Sequence, residues 1–180
     1  FLDQYKIQKP KKPFFLFHSL QAVHLPSFPG KDFKGKTKAG PHGDFIFQFD
    51  HVVGALLSKL DELKIAEDTL VIVTSDNGPE VPTVINMRKT HKHDAAHPWR
   101  GVKRDNWEGG HRVPFLVRWP KRIKRGVVSD QIVCQTDLMA TCANLVGYDL
   151  GNNQAVDSFV ISPILLESME KTIRPYVLHQ

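Results

Sequence analysis

The apolar positions of this chain fall in short blocks separated by long polar stretches, and their period changes from block to block. PFFLFHSL, from Pro13 to Leu20, is a short apolar run behind a basic, proline-containing segment, which predicts a buried strand. From Asp44 to Lys64 the period becomes helical. Ile46, Phe49, Val53, Leu56, Leu57, Leu60 and Leu63 lie on one face and predict an amphipathic helix. TLVIVTS, Thr69 to Ser75, is apolar on both parities, as expected for a parallel strand covered on both faces. VPFLVRWP predicts another strand, closed by Pro120, and TDLMATCANLVG predicts a helix from Thr136 to Val146 that ends at Gly147. A shorter helix around Pro163 and a last strand in RPYVLHQ complete the pattern. Strand, loop, helix, strand is a βαβ unit with a right-handed crossover, so the class is α/β with a mainly parallel sheet flanked by helices.

Two polar segments are too long to be plain connections. The first, Gln21–Gly43, carries His24. The second, Asp76–Gly110, has little periodicity and carries Asp76, Asn77, His91, His93, His97, Arg100, Lys103, Arg104 and Glu108. Each follows the carboxyl end of an expected strand, where open α/β sheets bind ligands. Asp76 and Asn77 offer one anionic and one neutral hard oxygen donor, a pairing suited to Ca²⁺ or Mg²⁺ rather than zinc. A purely local account also exists: an Asx-type turn that closes the strand. Lys103 among glycines is either a point charge for an anionic oxygen or an ordinary surface residue. Glu108, before Gly109 and Gly110, is either a buried partner of an arginine or a loop carboxylate.

The ordered set TLVIVTSDNGPE, then RGVKRDNWEGGHRVPFLVRWP, resembles the formylglycine-dependent sulfatase (arylsulfatase) family. PFFLFHSLQAVHLP is similar to that family's strand-and-histidine segment, and TDLMATCANLVG and DSFVISPILL to its later helices. The resemblance covers about Phe14 to Leu166. It implies an alkaline-phosphatase-like α/β fold and hydrolysis of a sulfate ester. Asp76 and Asn77 then match a pair of divalent-metal ligands, usually of Ca²⁺, with Mg²⁺ the alternative. Lys103 matches the lysine on the sulfate group and bridging oxygen, and His24 the histidine that contacts the sulfate and protonates the leaving alcohol. The family's nucleophile, a formylglycine made within Cys/Ser-x-Pro-x-Arg, has no counterpart here, since neither Cys134 nor Cys142 nor any serine lies in that motif. The first metal pair of the family is also unmatched. Residues 1–180 are therefore expected to be a partial catalytic domain, inactive alone, whose formylglycine lies upstream and whose partner is the N-terminal part of the same domain. Two other readings stay open: phosphoryl or phosphonate ester hydrolysis on a related metal site, and a non-catalytic relative that binds anionic glycans.

Composition narrows the picture only slightly. With 41% hydrophobic and 24% charged residues the chain is of ordinary globular type, and no apolar run reaches the length of a membrane span. The net charge of +5 comes largely from basic clusters at Lys6–Lys12, Lys31–Lys38 and Lys121–Arg125. No nucleic-acid module accompanies them, so nucleic acid is not an expected partner; a sulfated small molecule or glycan suits the charge. The spacing of the two cysteines makes neither a disulfide framework nor a zinc site. His91, His93, His97 and Arg100 lie between the Asp-Asn pair and Lys103 and are candidate substrate contacts at a pocket rim. The family also suggests a secreted, periplasmic or lysosomal-type compartment.

Overall fold

The structure is a computed structural model that describes residues 1–8, 12–167 and 171–179. The chain divides into two compact units, Phe1–Leu116 and Val117–Gln180. In the first, α1 (Leu2–Gln8) and the long helix α2 (Gly40–Glu62) precede strand β1 (Val71–Thr74). Helix α3 (Val81–His91) and a single turn, α4 (Glu108–His111), follow. Strand β2 (Phe115–Arg118), in which this unit ends, pairs with β1 in a two-stranded sheet. The second unit holds α5 (Asp137–Leu145) and α6 (Ser162–Glu167). Among the described residues, no helix is long and apolar enough to cross a membrane.

Helix α2 begins earlier than its periodicity implies, with a proline in its first turn where a missing N–H costs nothing. It ends where Lys64 turns left-handed at φ 55°; Ile65 N–H then reaches back to Leu60 C=O (3.0 Å), closing the last turn. Its inward face is Phe45 and Leu60, whereas Ile46, expected inside, is exposed. Leu60 packs with Leu2 of α1 and with Ala66, and Phe14, Leu56, Leu63, Ile65 and Val71 complete this cluster. Burying a leucine of this kind stabilises by about 1.5–3 kcal/mol. The cluster seats β1 against α2 and so fixes where Asp76 leaves the strand.

Several expected elements differ. Pro13–Leu20 forms no strand, and Phe15 and Phe17 stand 79% and 81% exposed. An apolar run becomes a strand only where a neighbour satisfies its N–H and C=O groups, and none pairs with it among the described residues. The βαβ unit therefore lacks its first strand. RPYVLHQ is likewise not a strand over its described residues, Arg174–His179; Gln180 lies outside them. Asp76–Gly110 is not an irregular loop throughout, because it contains α3 and α4. Helix α3 buries only Thr83, Val84 and Met87 and carries Arg88, Lys89 and His91 in its last turn, so its apolar stripe is too narrow to show as a period. Those basic residues complement the negative end of the helix dipole.

The first long polar segment folds back on the start of α2. Asp44 is buried and accepts from Gly35 N–H (2.7 Å) and Thr37 N–H (2.8 Å). Burial alone would raise its pKa; the backbone donors at 35–37 and the Thr37 hydroxyl outweigh that and hold the carboxyl below its ordinary value. Gln48 Oε1 accepts from Gly30 N–H (2.8 Å), and His42 Nδ1 meets Ser27 Oγ at 2.9 Å. Three side chains of one helix thus order the segment that carries His24.

Candidate active site

Asp76 and Asn77 follow β1 directly. An Asx turn at Asp76 would use the N–H of Gly78, but that N–H donates to Gly110 C=O at 2.8 Å. An Asx turn at Asn77 would need an N–H on Pro79, which has none. The pair therefore forms no Asx turn, and among the described residues its side-chain oxygens accept no backbone N–H. The Asp76 carboxylate is exposed, with only a long 3.4 Å contact to Ser75 Oγ. Asn77 Nδ2 donates to Gly78 C=O (2.8 Å), which leaves Oδ1 as the acceptor end of the amide.

The second loop is clamped onto this turn by backbone. Besides the Gly78–Gly110 bond, Lys103 N–H donates to Pro79 C=O (2.9 Å) and Gly109 N–H to Arg100 C=O (2.8 Å). The approach is so close that only glycine fits: a Cβ on Gly78 would lie 1.9 Å from Gly109 O, and one on Gly109 would lie 2.2 Å from Gly101 O. Gly78 thus lets the turn meet the second loop, while Gly109 and Gly110 let residues 100–110 fold closely on themselves. Glu108 pairs with Arg112 at 2.9 Å, so its partner is an arginine as one reading expected, but the pair is exposed rather than buried.

Lys103 Nζ lies 3.8 Å from Glu80 Oε2, and the other Glu80 oxygen takes a hydrogen bond from Arg104. That bond, assisted by Val81 N–H and the Lys103 charge, holds the Glu80 carboxyl below its ordinary range despite some desolvation. Glu80 also caps α3 through Val81 N–H (3.0 Å). Sequence reasoning missed Glu80; the available signal was a carboxylate directly before a helix with proline in its first turn.

The other candidates are spread more widely. His24 sits in an exposed turn in which its N–H bonds Gln21 C=O (2.9 Å) and its Nδ1 contacts Leu25 C=O (2.6 Å). A carbonyl only accepts, so this contact assigns a proton to Nδ1. Among the described residues, no hydrogen bond joins His24 to the Asp76–Lys103 cluster. His91, the last residue of α3, packs its imidazole onto Gly40, where an added Cβ would lie 2.2 Å from Nε2. His93 and His97 are exposed beyond the helix. Arg100 stacks its guanidinium on Trp107, 3.7 Å from the ring centroid, and Arg112 stacks likewise on Trp99 at 4.0 Å.

The model of the family described as Sulfatase matches residues 1–148. The chain belongs to the sulfatase family. It is 35% identical over 176 residues to human steryl-sulfatase, covering 98% of this chain and 30% of that one. It is 37% identical over 159 residues to human arylsulfatase A, covering 88% of this chain and 30% of the relative. Among solved structures, the PsFucS1 sulfatase from Pseudoalteromonas sp. superposes with a TM-score of 0.82 at 32% identity, over 96% of this chain and 33% of that one. The chain thus spans about a third of the length of these relatives, and its helices and small sheet form part of the alkaline-phosphatase-like sulfatase fold.

A sulfatase metal site is testable against the donors present. Asp76 and Asn77 fit a hard cation in kind, as one carboxylate and one amide oxygen on adjacent residues. They do not fill its shell: Ca²⁺ takes about six to eight oxygens, and no group of three His, Cys, Asp or Glu side chains among the described residues is placed to hold a metal. The pair fits such a cation in donor type but not in number.

Proposed function

We propose that this chain carries one wall of a sulfatase active site, and that the complete enzyme hydrolyses a sulfate ester of a small molecule or glycan. The carrying observation is the backbone clamp that fastens Lys103 to the turn of Asp76 and Asn77 through Pro79 C=O, with Gly78 bound to Gly110. It holds the backbone of Lys103 beside the two residues that offer cation-binding oxygens, on one short stretch, as transfer of a sulfuryl group requires. In that transfer the S–O bond to the alcohol breaks, and charge develops on the sulfate oxygens and on the leaving oxygen. Lys103 places its ammonium on the sulfate and bridging oxygens. His24, with Nδ1 held by Leu25 C=O, delivers the Nε2 proton to the departing alkoxide. Asp76 and Asn77 hold one side of a divalent cation, Ca²⁺ in this proposal, whose charge would stabilise the sulfate oxygens when bound. The formylglycine nucleophile belongs to sequence outside these residues, so the chain alone is inactive.

The exposed Arg100–Trp107 and Arg112–Trp99 stacks favour a substrate with both an anionic group and a flat, weakly polar face, and hence a sulfated glycan. His93 and His97 flank them along the chain as further candidate contacts, whereas the packing of His91 on Gly40 gives it a structural part as well.

The test is hydrolysis of p-nitrophenyl sulfate by the full-length protein. Activity is expected to fall with chelation and with Lys103→Ala or Asp76→Ala, and mass spectrometry is expected to find a formylglycine. Hydrolysis of a phosphate ester in preference to the sulfate would refute the reading. So would multiple turnover by residues 1–180 alone.

A further inference from the structure

We infer that Glu80 is a positioning residue for Lys103, held in turn by Arg104, so that an Arg104–Glu80–Lys103 relay aims the ammonium at the sulfate. The inference rests on the sulfatase reading of Lys103 given above.

A lysine is a point charge on a four-carbon stem, and fastening its backbone leaves its Nζ free to sweep several ångströms. The clamp from Lys103 N–H to Pro79 C=O fixes only the root of the side chain. Glu80 supplies the second point. Its Oε2 lies 3.8 Å from Nζ, with the lysine and glutamate side chains 22% and 18% exposed. The carboxylate is itself held by two donors: its Oε1 takes Arg104, and the same oxygen accepts from Val81 N–H, the contact by which Glu80 caps α3. Arg104, next to the clamped Lys103, adopts a left-handed backbone at φ 77°. Asp76 and Asn77 lie on the same turn, so the relay also sets the lysine relative to any cation held there.

The carboxylate further screens the ammonium when no substrate is bound. A sulfate that arrives takes over part of that pairing at a distance already set, without a search over lysine rotamers. Glu80 needs no contact with the substrate for this, and its role is read through Lys103 alone.

The experiment is a double-mutant cycle in the full-length protein. It reads kcat/KM for p-nitrophenyl sulfate, the inhibition constant of inorganic sulfate, and the melting temperature. Lys103→Ala is expected to lower kcat/KM by about a hundredfold or more, and Glu80→Gln by about tenfold, the scale of one charge-assisted contact. The glutamine keeps an acceptor for Val81 N–H, so the melting temperature should barely move. In the Lys103→Ala background, Glu80→Gln should change neither the residual activity nor sulfate inhibition by more than about twofold, since residues that act through one another are not additive. Arg104→Gln, on an exposed side chain, should give an intermediate loss that also vanishes on Lys103→Ala. A Glu80→Gln effect that persists undiminished without Lys103 overturns the relay, as does full activity of Glu80→Gln beside an impaired Lys103→Ala. If Lys103→Ala is itself fully active, the catalytic reading of Lys103 falls and the relay with it.

Discussion

Arg174→Met tests the energetics of the second unit. Asp137, the first residue of α5, has a side chain 0% exposed and pairs with Arg174 at 2.6 Å, a guanidinium only 9% exposed. Arg174 Nε adds bonds of 3.0 and 3.2 Å to the same carboxylate, and Nη2 also reaches Asp157 C=O at 2.6 Å. Cys134 N–H (2.8 Å) and Phe159 N–H (2.9 Å) complete the carboxylate. Three separated segments therefore meet on one side chain. Removing one partner of a buried pair leaves an uncompensated charge and costs about 3–5 kcal/mol. The two backbone donors remain in the variant, which points to the lower end, about 3 kcal/mol. For a chain of this length that is roughly a 6–12 °C fall in melting temperature.

The loss should depend on pH. Burial alone would raise the Asp137 pKa; Arg174, with Phe159 and Cys134 N–H, outweighs it and holds the carboxyl below the ordinary range. A depressed folded value means that the stability is present above the unfolded pKa, near ~3.9, and is lost as pH falls through the folded value. Wild type and Arg174→Met should therefore differ most near neutrality and begin to converge below about pH 4. Urea unfolding at pH 7 and at pH 3.5 measures both. A difference below about 1 kcal/mol at neutral pH, the scale of an exposed pair, would refute the reasoning.

Three further outcomes are expected. Gly78→Ala should unseat the loop of Lys103 from the Asp76 turn, because the added Cβ would lie 1.9 Å from Gly109 O; sulfate-ester hydrolysis should fall more than tenfold by the order-of-magnitude rule for misplaced groups, and wild-type kinetics would contradict the clamp. Asp44→Ala should free the segment around Gly35 and Thr37, so limited trypsin digestion should cut faster at Lys31, Lys34, Lys36 and Lys38; unchanged cleavage would show that Asp44 does not hold it. Asp76→Asn should weaken Ca²⁺ binding in the full-length protein by roughly tenfold or more, since it removes the anionic donor of the pair, and calorimetry with Ca²⁺ would show an unchanged affinity if the assignment is wrong.

Legibility in the sequence followed the range of the forces involved. Helices α2 and α5 could be read from a local helical period, and β1 and β2 from short apolar runs that need no distant partner to be recognised. Family membership could be read from motif order, which needs no coordinates. The strand expected at Pro13–Leu20 could not be checked from sequence, because apolar character is local whereas strand pairing needs a neighbour far along the chain. Helix α3 was hidden because Val84 and Met87 alone carry its buried apolar face.

The sequence by itself nominated His24, Asp76, Asn77 and Lys103 as candidate site residues, through motif order and the family resemblance. Tertiary structure decided what surrounds them. Only the close approach of Gly78 and Gly109 shows that the lysine loop sits on the Asp-Asn turn, and only side-chain geometry shows Glu80 joining Lys103 to Arg104. Arg174 and Asp137, which are 37 residues apart, carry no shared signal in a linear reading. Backbone clamps and buried ion pairs are made between segments, so their partners exist only once the chain has folded.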